Sequence, residues 1–251
     1  MRIVVIGGTG LIGSKVVQGL TEHGHDAVAA APSTGVDTVT GEGLSEALAG
    51  ANVVVDVSNS PTLDGAAKEF FAAATTNLLR AETQAGVTHH VALSVVGTRR
   101  LAIDSEYFQA KQLQEELISD GPIPYTIVHA TQFFEFVGTI ADSATVDGTV
   151  RLPDAFIQPM ASADVAEAVA IAAVNAPVNG ITEIGGPERF RMPDLIRAAF
   201  AATGDPRPVV ADPDAGYWGV AIDETTLVPG DGATLFDIRF SDWVFEAAAK
   251  A

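Results

Sequence analysis

Apolar and polar residues recur along the first half of the chain with two periods, one typical of buried strands and one of amphipathic helices. Short apolar runs rich in β-branched residues predict strands at residues 2–6, 26–31, 36–40, 51–57, 90–95 and 125–128. Helical spacing between these runs predicts helices at residues 11–23, 43–49, 64–85 and 105–119. Strands that alternate with helices in this way predict an α/β fold with a doubly wound parallel sheet.

The second half of the chain has a looser pattern, in which prolines and glycines interrupt the apolar runs. Helical spacing predicts two further helices there, at residues 163–174 and 192–203. No stretch has the composition of an independent linker. We therefore expect one domain over residues 1–251, in which residues from about 131 to 251 form a small substrate lobe across the carboxyl ends of the strands.

A glycine-rich turn joins the first predicted strand to the first predicted helix. Its glycines are spaced at intervals of three residues. Glycine permits a tight turn and a close approach of phosphates, while the helix start offers free N–H groups and the positive end of its dipole. This arrangement predicts a Rossmann-like nucleotide site. The turn residues expected to hold a pyrophosphate are Gly7, Thr9, Gly10, Leu11, Ile12 and Gly13.

The composition of the chain indicates where the protein is located and which classes of partner are disfavoured. The chain has 14 basic and 32 acidic residues, a net charge of −18, which disfavours nucleic acid and anionic membranes as partners. It has no cysteine, no secretory signal before the first strand and no apolar run near the roughly 20 residues that span a bilayer, so we expect a cytoplasmic protein. The sequence leaves open whether the protein forms a homo-oligomer. The histidines without metal-ligand spacing, expected at the surface or at strand edges, are His23, His25, His89 and His90.

A serine, a tyrosine and a lysine follow one another from the strand predicted at residues 90–95. Ser94 lies at the end of that strand, where open α/β sheets bind ligands. Tyr107 and Lys111 are four residues apart and share one face of the next predicted helix. An ammonium beside a phenol lowers the phenol's pKa, which suits proton transfer, and a serine hydroxyl can hold the substrate oxygen. The apolar stripe expected to face the sheet comprises Ala110, Leu113 and Leu117.

These stretches together resemble the short-chain dehydrogenase/reductase superfamily, in its atypical or extended branch, and most of all its NmrA-like group. The matching stretches are residues 7–13, 77–87, 94–111, 125–134, 164–166 and 185–187. The resemblance implies that Ser94, Tyr107 and Lys111 are catalytic and that Lys111 also binds the nicotinamide ribose. The sequence departs from the family at Phe71, where extended members often carry asparagine, and after residue 128, where Arg-Pro is common.

The segment after the second strand bears on the choice of nicotinamide cofactor. Residues 27–36 contain no Asp or Glu, the residue types that usually bind the ribose hydroxyls of NAD. Ser33 and Thr34 offer neutral donors for a 2′-phosphate, so we expect NADP, with NAD and an ordinary turn as open alternatives. Asn59 is expected either to line the adenosine or nicotinamide-ribose side of the cofactor or to form a turn.

Aromatic and polar residues of the second half supply a candidate substrate pocket, although aromatic residues belong to the core more often than to pockets. The expected pocket residues are His129, Thr131, Phe133, Phe134 and Trp218. We therefore expect an NAD(P)-dependent oxidoreductase that interconverts a small hydrophobic or aryl carbonyl compound and a secondary alcohol. Two alternatives are a non-catalytic NAD(P)-sensing regulator of the NmrA-like kind and an NAD(P)-dependent epimerase or dehydratase.

Overall fold

A computed structural model describes residues 1–250 and contains nine helices and twelve strands within that range. The strands are β1 (Arg2–Ile6), β2 (Asp26–Ala30), β3 (Val53–Asp56), β4 (His89–Val95), β5 (Tyr125–Ala130), β6 (Thr145–Val146), β7 (Thr149–Leu152), β8 (Phe156–Ile157), β9 (Gly180–Gly185), β10 (Phe190–Arg191), β11 (Val209–Ala211) and β12 (Thr234–Leu235). The helices are α1 (Leu11–Glu22), α2 (Leu44–Ala47), α3 (Ala66–Ala85), α4 (Thr98–Leu101), α5 (Glu106–Ser119), α6 (Val137–Ser143), α7 (Ser162–Val174), α8 (Met192–Thr203) and α9 (Phe240–Lys250).

Seven strands form one parallel sheet flanked by helices, in the order β12-β9-β5-β4-β3-β1-β2. β1 is paired on both sides, so that Ile6 lies opposite Ala30 of β2 and Asp56 of β3. Because the chain crosses from β2 to the far side of β1, the carboxyl ends of β1 and β3 form the switch point at which open α/β sheets bind ligands. The predicted α/β fold with a doubly wound, Rossmann-like parallel sheet is confirmed.

The described chain divides into two compact units. The first comprises residues 1–94, 102–129 and 165–182, and the second comprises residues 95–101, 130–164 and the chain from residue 183 onward. The expected single domain, with a substrate lobe from about residue 131 to 251, stays a prediction. Most of α7 belongs to the first unit, where Val165, Val169 and Ala173 are buried, and the turn that contains α4 belongs to the second.

Helix α3 is the longest in the structure, with 20 residues, and it shows how local signals set the helix ends. Phe71, Leu78 and other residues of one face are buried, whereas Lys68 and Arg80 are exposed. Gly86 ends the helix with a φ of +73°, as its position after the apolar pattern predicts. Among residues 1–250, none of the helices combines the length and apolar character needed to cross a membrane.

The strand predicted at residues 36–40 is wrong, because this segment folds as a turn. The Asp37 carboxylate accepts hydrogen bonds from the backbone N–H groups of Val39 (2.8 Å) and Thr40 (3.1 Å). Such local bonds offer the backbone an alternative to a sheet ladder. A short run in which an aspartate follows the first apolar residue is therefore better explained as a turn.

The face of α5 that packs inward also differs from the prediction. Leu113 and Leu117 are only partly buried, although Ala110 is fully buried. The buried residues of the helix are Phe108, Ala110, Lys111, Gln114, Glu115 and Ile118. The helix therefore turns a largely polar face inward, and the partners of these polar groups lie on the neighbouring strands.

Candidate active site

The glycine turn between β1 and α1 has the geometry of an anion site. Gly7 has a φ of +76°, and its N–H donates to the carbonyl of Ala30 at 2.9 Å. Gly10 donates to the carbonyl of Gly7 at 2.9 Å, which folds the chain directly into α1. No side chain caps this helix, and its first turn contains no acidic residue. The first N–H groups of α1, which have no carbonyl partner within the helix, are therefore left for an anion.

The glycines of this turn are constrained by different neighbours. A Cβ on Gly13 would lie 2.2 Å from the carbonyl oxygen of Gly7, and a Cβ on Gly7 would lie 2.9 Å from the backbone nitrogen of Ser58. A Cβ on Gly10 would approach only the Gly7 oxygen, at 3.3 Å. Gly7 and Gly13 therefore permit close packing within the protein, whereas the space beside Gly10 is open on the side that a phosphate would use.

The two hydroxyl residues after β2 differ in their availability. The Ser33 hydroxyl donates to the hydroxyl of Thr9 in the glycine turn at 3.5 Å. The Thr34 hydroxyl accepts from the N–H of Ala31 at 2.9 Å and donates to the carbonyl of Ala31 at 3.0 Å. Thr34 therefore stabilises the turn itself, and Ser33 is the hydroxyl placed beside the glycine turn.

Tyr107 and Asn59 meet at the switch point of the sheet. Ser105 caps α5, its side chain accepting from the N–H of Phe108, and this cap sets Tyr107 in the first turn of the helix. The Tyr107 hydroxyl donates to the side-chain oxygen of Asn59 at 2.9 Å. Asn59 follows β3, next to Ser58, whose backbone lies against Gly7. The tyrosine predicted from the sequence is therefore connected to the loop beside the glycine turn.

The electrostatic environment of Tyr107 differs from the expected one. Burial raises the pKa of Tyr107 to about 12, and the hydrogen bond to Asn59 opposes this only in part. The ring makes edge contacts with Phe71 and Phe108, at centroid distances of 6.4 and 5.2 Å. The expected lowering of this pKa by Lys111 is not found. Tyr107 is therefore a protonated phenol at neutral pH.

Lys111 turns into the layer between α5 and the sheet. Its ammonium donates to the carbonyl of Leu93 at 3.0 Å and to the side-chain oxygen of Gln114 at 2.5 Å, and it lies 4.8 Å from the centre of the Phe71 ring. Burial lowers the pKa of Lys111 to about 8, against the charge of Asp56. Sequence spacing places Lys111 and Tyr107 on one helix, but their polar groups bind different partners.

Ser94 and His129 share one partner, the carboxylate of Glu115 on α5. The Ser94 hydroxyl donates to Glu115 Oε1 at 2.5 Å, and His129 Nε2 hydrogen-bonds the same oxygen at 2.9 Å. Burial favours the neutral acid, but hydrogen bonds from His129 and Ser94 and the charge of Lys111 hold the pKa of Glu115 below its usual value. Glu115 is therefore ionised at neutral pH, and the proton of Ser94 is committed to it.

Three residues of this layer were missed by the sequence analysis: Asp56, Gln114 and Glu115. Gln114 donates to Asp56 Oδ2 at 3.0 Å, and Asp56 Oδ1 accepts from the Ser58 N–H and hydroxyl at 2.9 and 2.6 Å. A signal was present in the sequence, since Gln114 and Glu115 stand three and four residues after Lys111 and so lie on its face of the helix. Their burial could not be inferred from α5 alone, because their partners are on other elements.

The residues predicted for the substrate side fall in both units. His129, in the first unit, is bound to Glu115 as described above. In the second unit, Phe134 is 1% exposed, and its ring packs 5.2 Å from Phe240 and 5.6 Å from Trp243, so it is a core residue. Phe133, also in this unit, is partly buried and stacks on the ring of Phe136 at 5.5 Å.

The other two predicted substrate residues, Thr131 and Trp218, also lie in the second unit. Thr131 is buried, and its hydroxyl has no hydrogen-bond partner among the described residues. Trp218 is 39% exposed, has a φ of +51° and lies in a tight turn that Tyr217 and Val220 close by mutual backbone hydrogen bonds. Trp218 therefore has an exposed ring and Thr131 a buried hydroxyl that is unpaired within residues 1–250, and the substrate role of both residues stays a prediction.

Comparison with solved structures identifies the fold. UDP-glucose 4-epimerase of Thermus thermophilus, solved with NAD, has a TM-score of 0.69 and 19% identity over 90% of this chain and 92% of its own. A dTDP-4-dehydrorhamnose reductase from Clostridium acetobutylicum has a TM-score of 0.71 and 16% identity over 100% and 99% of the two chains. A short-chain dehydrogenase/reductase superfamily protein from Agrobacterium tumefaciens with bound NAD has a TM-score of 0.70 and 19% identity over 99% and 96%.

These likenesses extend over nearly the whole chain, and at such identities they establish the shared fold. The sequence itself matches no protein-family model, and it matches no curated protein. The class that the fold defines is a Rossmann-like protein with a seven-stranded parallel sheet. The chemistry of this chain is therefore argued from its own residues.

Proposed function

We propose that the protein is an NAD(P)-dependent oxidoreductase of the short-chain dehydrogenase/reductase type, which interconverts a carbonyl group and a secondary alcohol. The observation that carries this proposal is the 2.9 Å hydrogen bond between Tyr107 and Asn59. It connects a phenol suited to proton transfer with the loop that lies against the glycine turn. A nucleotide site and an acid–base group at one switch point are the two parts that such a reaction needs.

The residues around the glycine turn fit a dinucleotide. The uncapped start of α1 and the open space beside Gly10 suit a pyrophosphate, while Ser33 stands next to Thr9 at the side of the turn where β2 ends. Asn59 would lie on the ribose side. The bound nicotinamide would supply or accept the hydride. NADPH is the preferred cofactor in this proposal, with Ser33 rather than Thr34 as the hydroxyl that binds the 2′-phosphate. NADH is the alternative cofactor, because two structures of similar fold were solved with NAD.

Tyr107 supplies the proton in this proposal. A phenol with a pKa of about 12 holds its proton at neutral pH and can donate it to a developing alkoxide. Lys111 is the nearby cation, held within the layer by Leu93 and Gln114. Ser94 enters the proposal as an acceptor, because its only proton is donated to Glu115 and its remaining lone pairs can take a hydrogen bond from an alcohol. The substrate class is a small apolar ketone or alcohol.

An epimerase or dehydratase with a nicotinamide cofactor is the second candidate, and the likeness to a UDP-glucose 4-epimerase over 90% of this chain favours it. The same Tyr107 proton would serve both reactions, but an epimerase returns its cofactor to the starting redox state and shows no net change in NAD(P)H absorbance. A non-catalytic NmrA-like regulator is less well supported, because the tyrosine and lysine of the active family members are both present.

The test compares Tyr107→Phe with Tyr125→Phe, a matched control on a partly buried tyrosine at the start of β5. Purified proteins are assayed for NADPH and NADH oxidation against a panel of ketones and for epimerisation of nucleotide sugars, and cofactor affinity is measured by calorimetry. Tyr107→Phe should lower kcat about 100-fold or more with little change in cofactor affinity. Equal kcat in the native enzyme and Tyr107→Phe would exclude Tyr107 from the reaction.

A further inference from the structure

One turn of α5 carries three buried polar side chains that reach three neighbouring strands of the sheet. Lys111 binds the Leu93 carbonyl of β4, Gln114 binds the carboxylate of Asp56 at the end of β3, and Glu115 binds residues of β4 and β5. This layer begins at Lys111, four residues after Tyr107 on the same helix. Polar groups buried in this way stabilise a fold only when every member is satisfied, so the position of each one is fixed by the others.

Glu115 is the member with the most partners. Its Oε1 accepts from both the Ser94 hydroxyl and His129 Nε2, at 2.5 and 2.9 Å, and the residue is only 7% exposed. An ionised carboxylate can only accept hydrogen bonds, so both partners must donate. The carboxylate thereby sets which nitrogen of His129 carries a proton and leaves the Ser94 oxygen with lone pairs alone.

We propose that Glu115 is a positioning residue of the candidate site, which orients Ser94 and His129 and uses its charge to keep the buried amine of Lys111 in its ammonium form. This inference rests on the proposed function, in which Lys111 is the cation beside the proton donor. Glu115 does not contact the reacting atoms in this proposal. Its effect reaches them through Lys111 and Ser94.

The charge balance around Lys111 explains why Glu115 matters. Burial lowers the pKa of Lys111, and the two carboxylates that oppose this are Asp56 of β3 and Glu115 of α5. The other groups packed against the ammonium are the uncharged Phe71 ring of α3 and the side chain of Gln114. With one of the two carboxylates neutralised, the ammonium loses its proton at a lower pH.

Two further titratable groups belong to the same layer, and neither replaces Glu115. His129 of β5 faces Glu115 and carries no negative charge that would support Lys111. Tyr107, on α5 itself, keeps its proton throughout the relevant range because its pKa is about 12. The pKa of Lys111 is therefore set by burial, which lowers it, and by the charges of Asp56 and Glu115, which raise it.

The experiment compares Glu115→Gln with Glu116→Gln. Gln keeps an oxygen that can accept from Ser94 and removes the charge, while Glu116 is an exposed neighbour on the same helix, paired with Gln112 at 2.8 Å. The chain has only four lysines, so the Lys111 pKa can be followed by NMR of ¹³C-labelled lysine in the full-length protein. The pH dependence of kcat/KM, kcat and KM is measured on the same preparations.

We expect the Lys111 pKa to fall by about one unit in Glu115→Gln, with the alkaline limb of kcat/KM moving to lower pH by the same amount. Near pH 8, where the variant has lost the Lys111 charge and the native protein has not, kcat should fall. Glu116→Gln should match the native protein in both measurements. A merely structural role of Glu115 would lower the melting temperature without moving either pH value.

Each remaining outcome overturns the inference or separates it from the proposed function. An unchanged Lys111 pKa in Glu115→Gln overturns it, whether or not the protein is active. A shifted Lys111 pKa with an unmoved alkaline limb in an active enzyme overturns the link to the reaction. If no preparation shows oxidoreductase or epimerase activity, the proposed function fails while the NMR result still decides the role of Glu115. If Glu115→Gln does not fold, carboxyl titration of the native protein decides, since a Glu115 that is protonated at pH 7 contradicts the proposal.

Discussion

Substitution by alanine should affect stability at one glycine of α1, Gly13, and cofactor binding at the glycine that precedes the helix, Gly10. Gly10→Ala places a methyl group 3.3 Å from one backbone oxygen, at a residue whose φ of −81° and ψ of −176° suit any amino acid. Gly13→Ala places it 2.2 Å from the Gly7 oxygen and 2.7 Å from the Gly8 Cα. Both neighbours of Gly13 are backbone atoms, so they cannot rotate out of the way as a side chain does.

These distances give the expected magnitudes. Ala normally stabilises a helix by up to about 1 kcal/mol relative to Gly. At Gly13 the overlap reverses the sign, and we expect a loss of about 3 kcal/mol or more in the free energy of unfolding, which lowers Tm by roughly 6–12 °C for a protein of this size. At Gly10 the free energy of unfolding should change by less than about 1 kcal/mol. The added methyl group takes space that a pyrophosphate would need, so cofactor affinity should fall at least about tenfold.

The assay combines thermal unfolding with calorimetry of NADPH and NADH binding. Gly19→Ala is the matched control, because it lies in the same helix with no atom within 4 Å of the added Cβ, and it should raise Tm slightly without affecting binding. The bulkier Gly10→Val should abolish cofactor binding. Normal cofactor binding by Gly10→Ala would show that this glycine serves only the turn, and a native Tm for Gly13→Ala would refute the close-packing argument.

Two further predictions concern cofactor choice and acid stability. The native enzyme should prefer NADPH by up to about tenfold in kcat/KM. Ser33→Ala should remove this preference, whereas Thr34→Ala should keep it because the Thr34 hydroxyl already bonds Ala31. A native preference for NADH would contradict the proposed phosphate site. Burial lowers the pKa of His89 to about 4, so only the unfolded chain binds this proton between about pH 6.5 and 4. The free energy of unfolding should therefore decrease as the pH falls through that window, by at most about 3 kcal/mol. Chemical denaturation at several pH values should show a shallower decline for His89→Gln than for the native protein, with exposed His23→Gln as control; equal slopes would contradict the assignment.

Local sequence signals accounted for much of the fold. The Ser105 cap, the Gly86 helix end and the helix at Met192–Thr203 all lie where the pattern predicts them. Each depends on backbone groups within a few residues, such as an N–H that needs an acceptor or a left-handed position that favours glycine. The glycine turn is predictable for the same reason. Such features can be inferred from one segment without knowledge of its neighbours.

The buried polar layer could not be predicted in this way. His90, expected at the surface or a strand edge, is fully buried and bonds Glu82 of α3 at 2.8 Å, and His89 is buried against Thr126 at 2.9 Å. The charges of Lys111 and Glu115 are likewise buried through partners on two strands, β4 and β5. A hydrophobicity pattern assigns such residues to solvent, because their partners come from distant parts of the sequence.

The raised pKa of Tyr107 bears on how the proposed reaction starts in each direction. With a pKa of about 12, the phenol is protonated at neutral pH, and this is the form that carbonyl reduction uses to protonate the developing alkoxide. The phenolate left by this step takes a proton back from solvent before the next turnover. Alcohol oxidation must instead begin from the phenolate, which is a minor form of Tyr107 at that pH. At neutral pH the protein therefore holds Tyr107 in the form that a reductase requires at the start of its reaction.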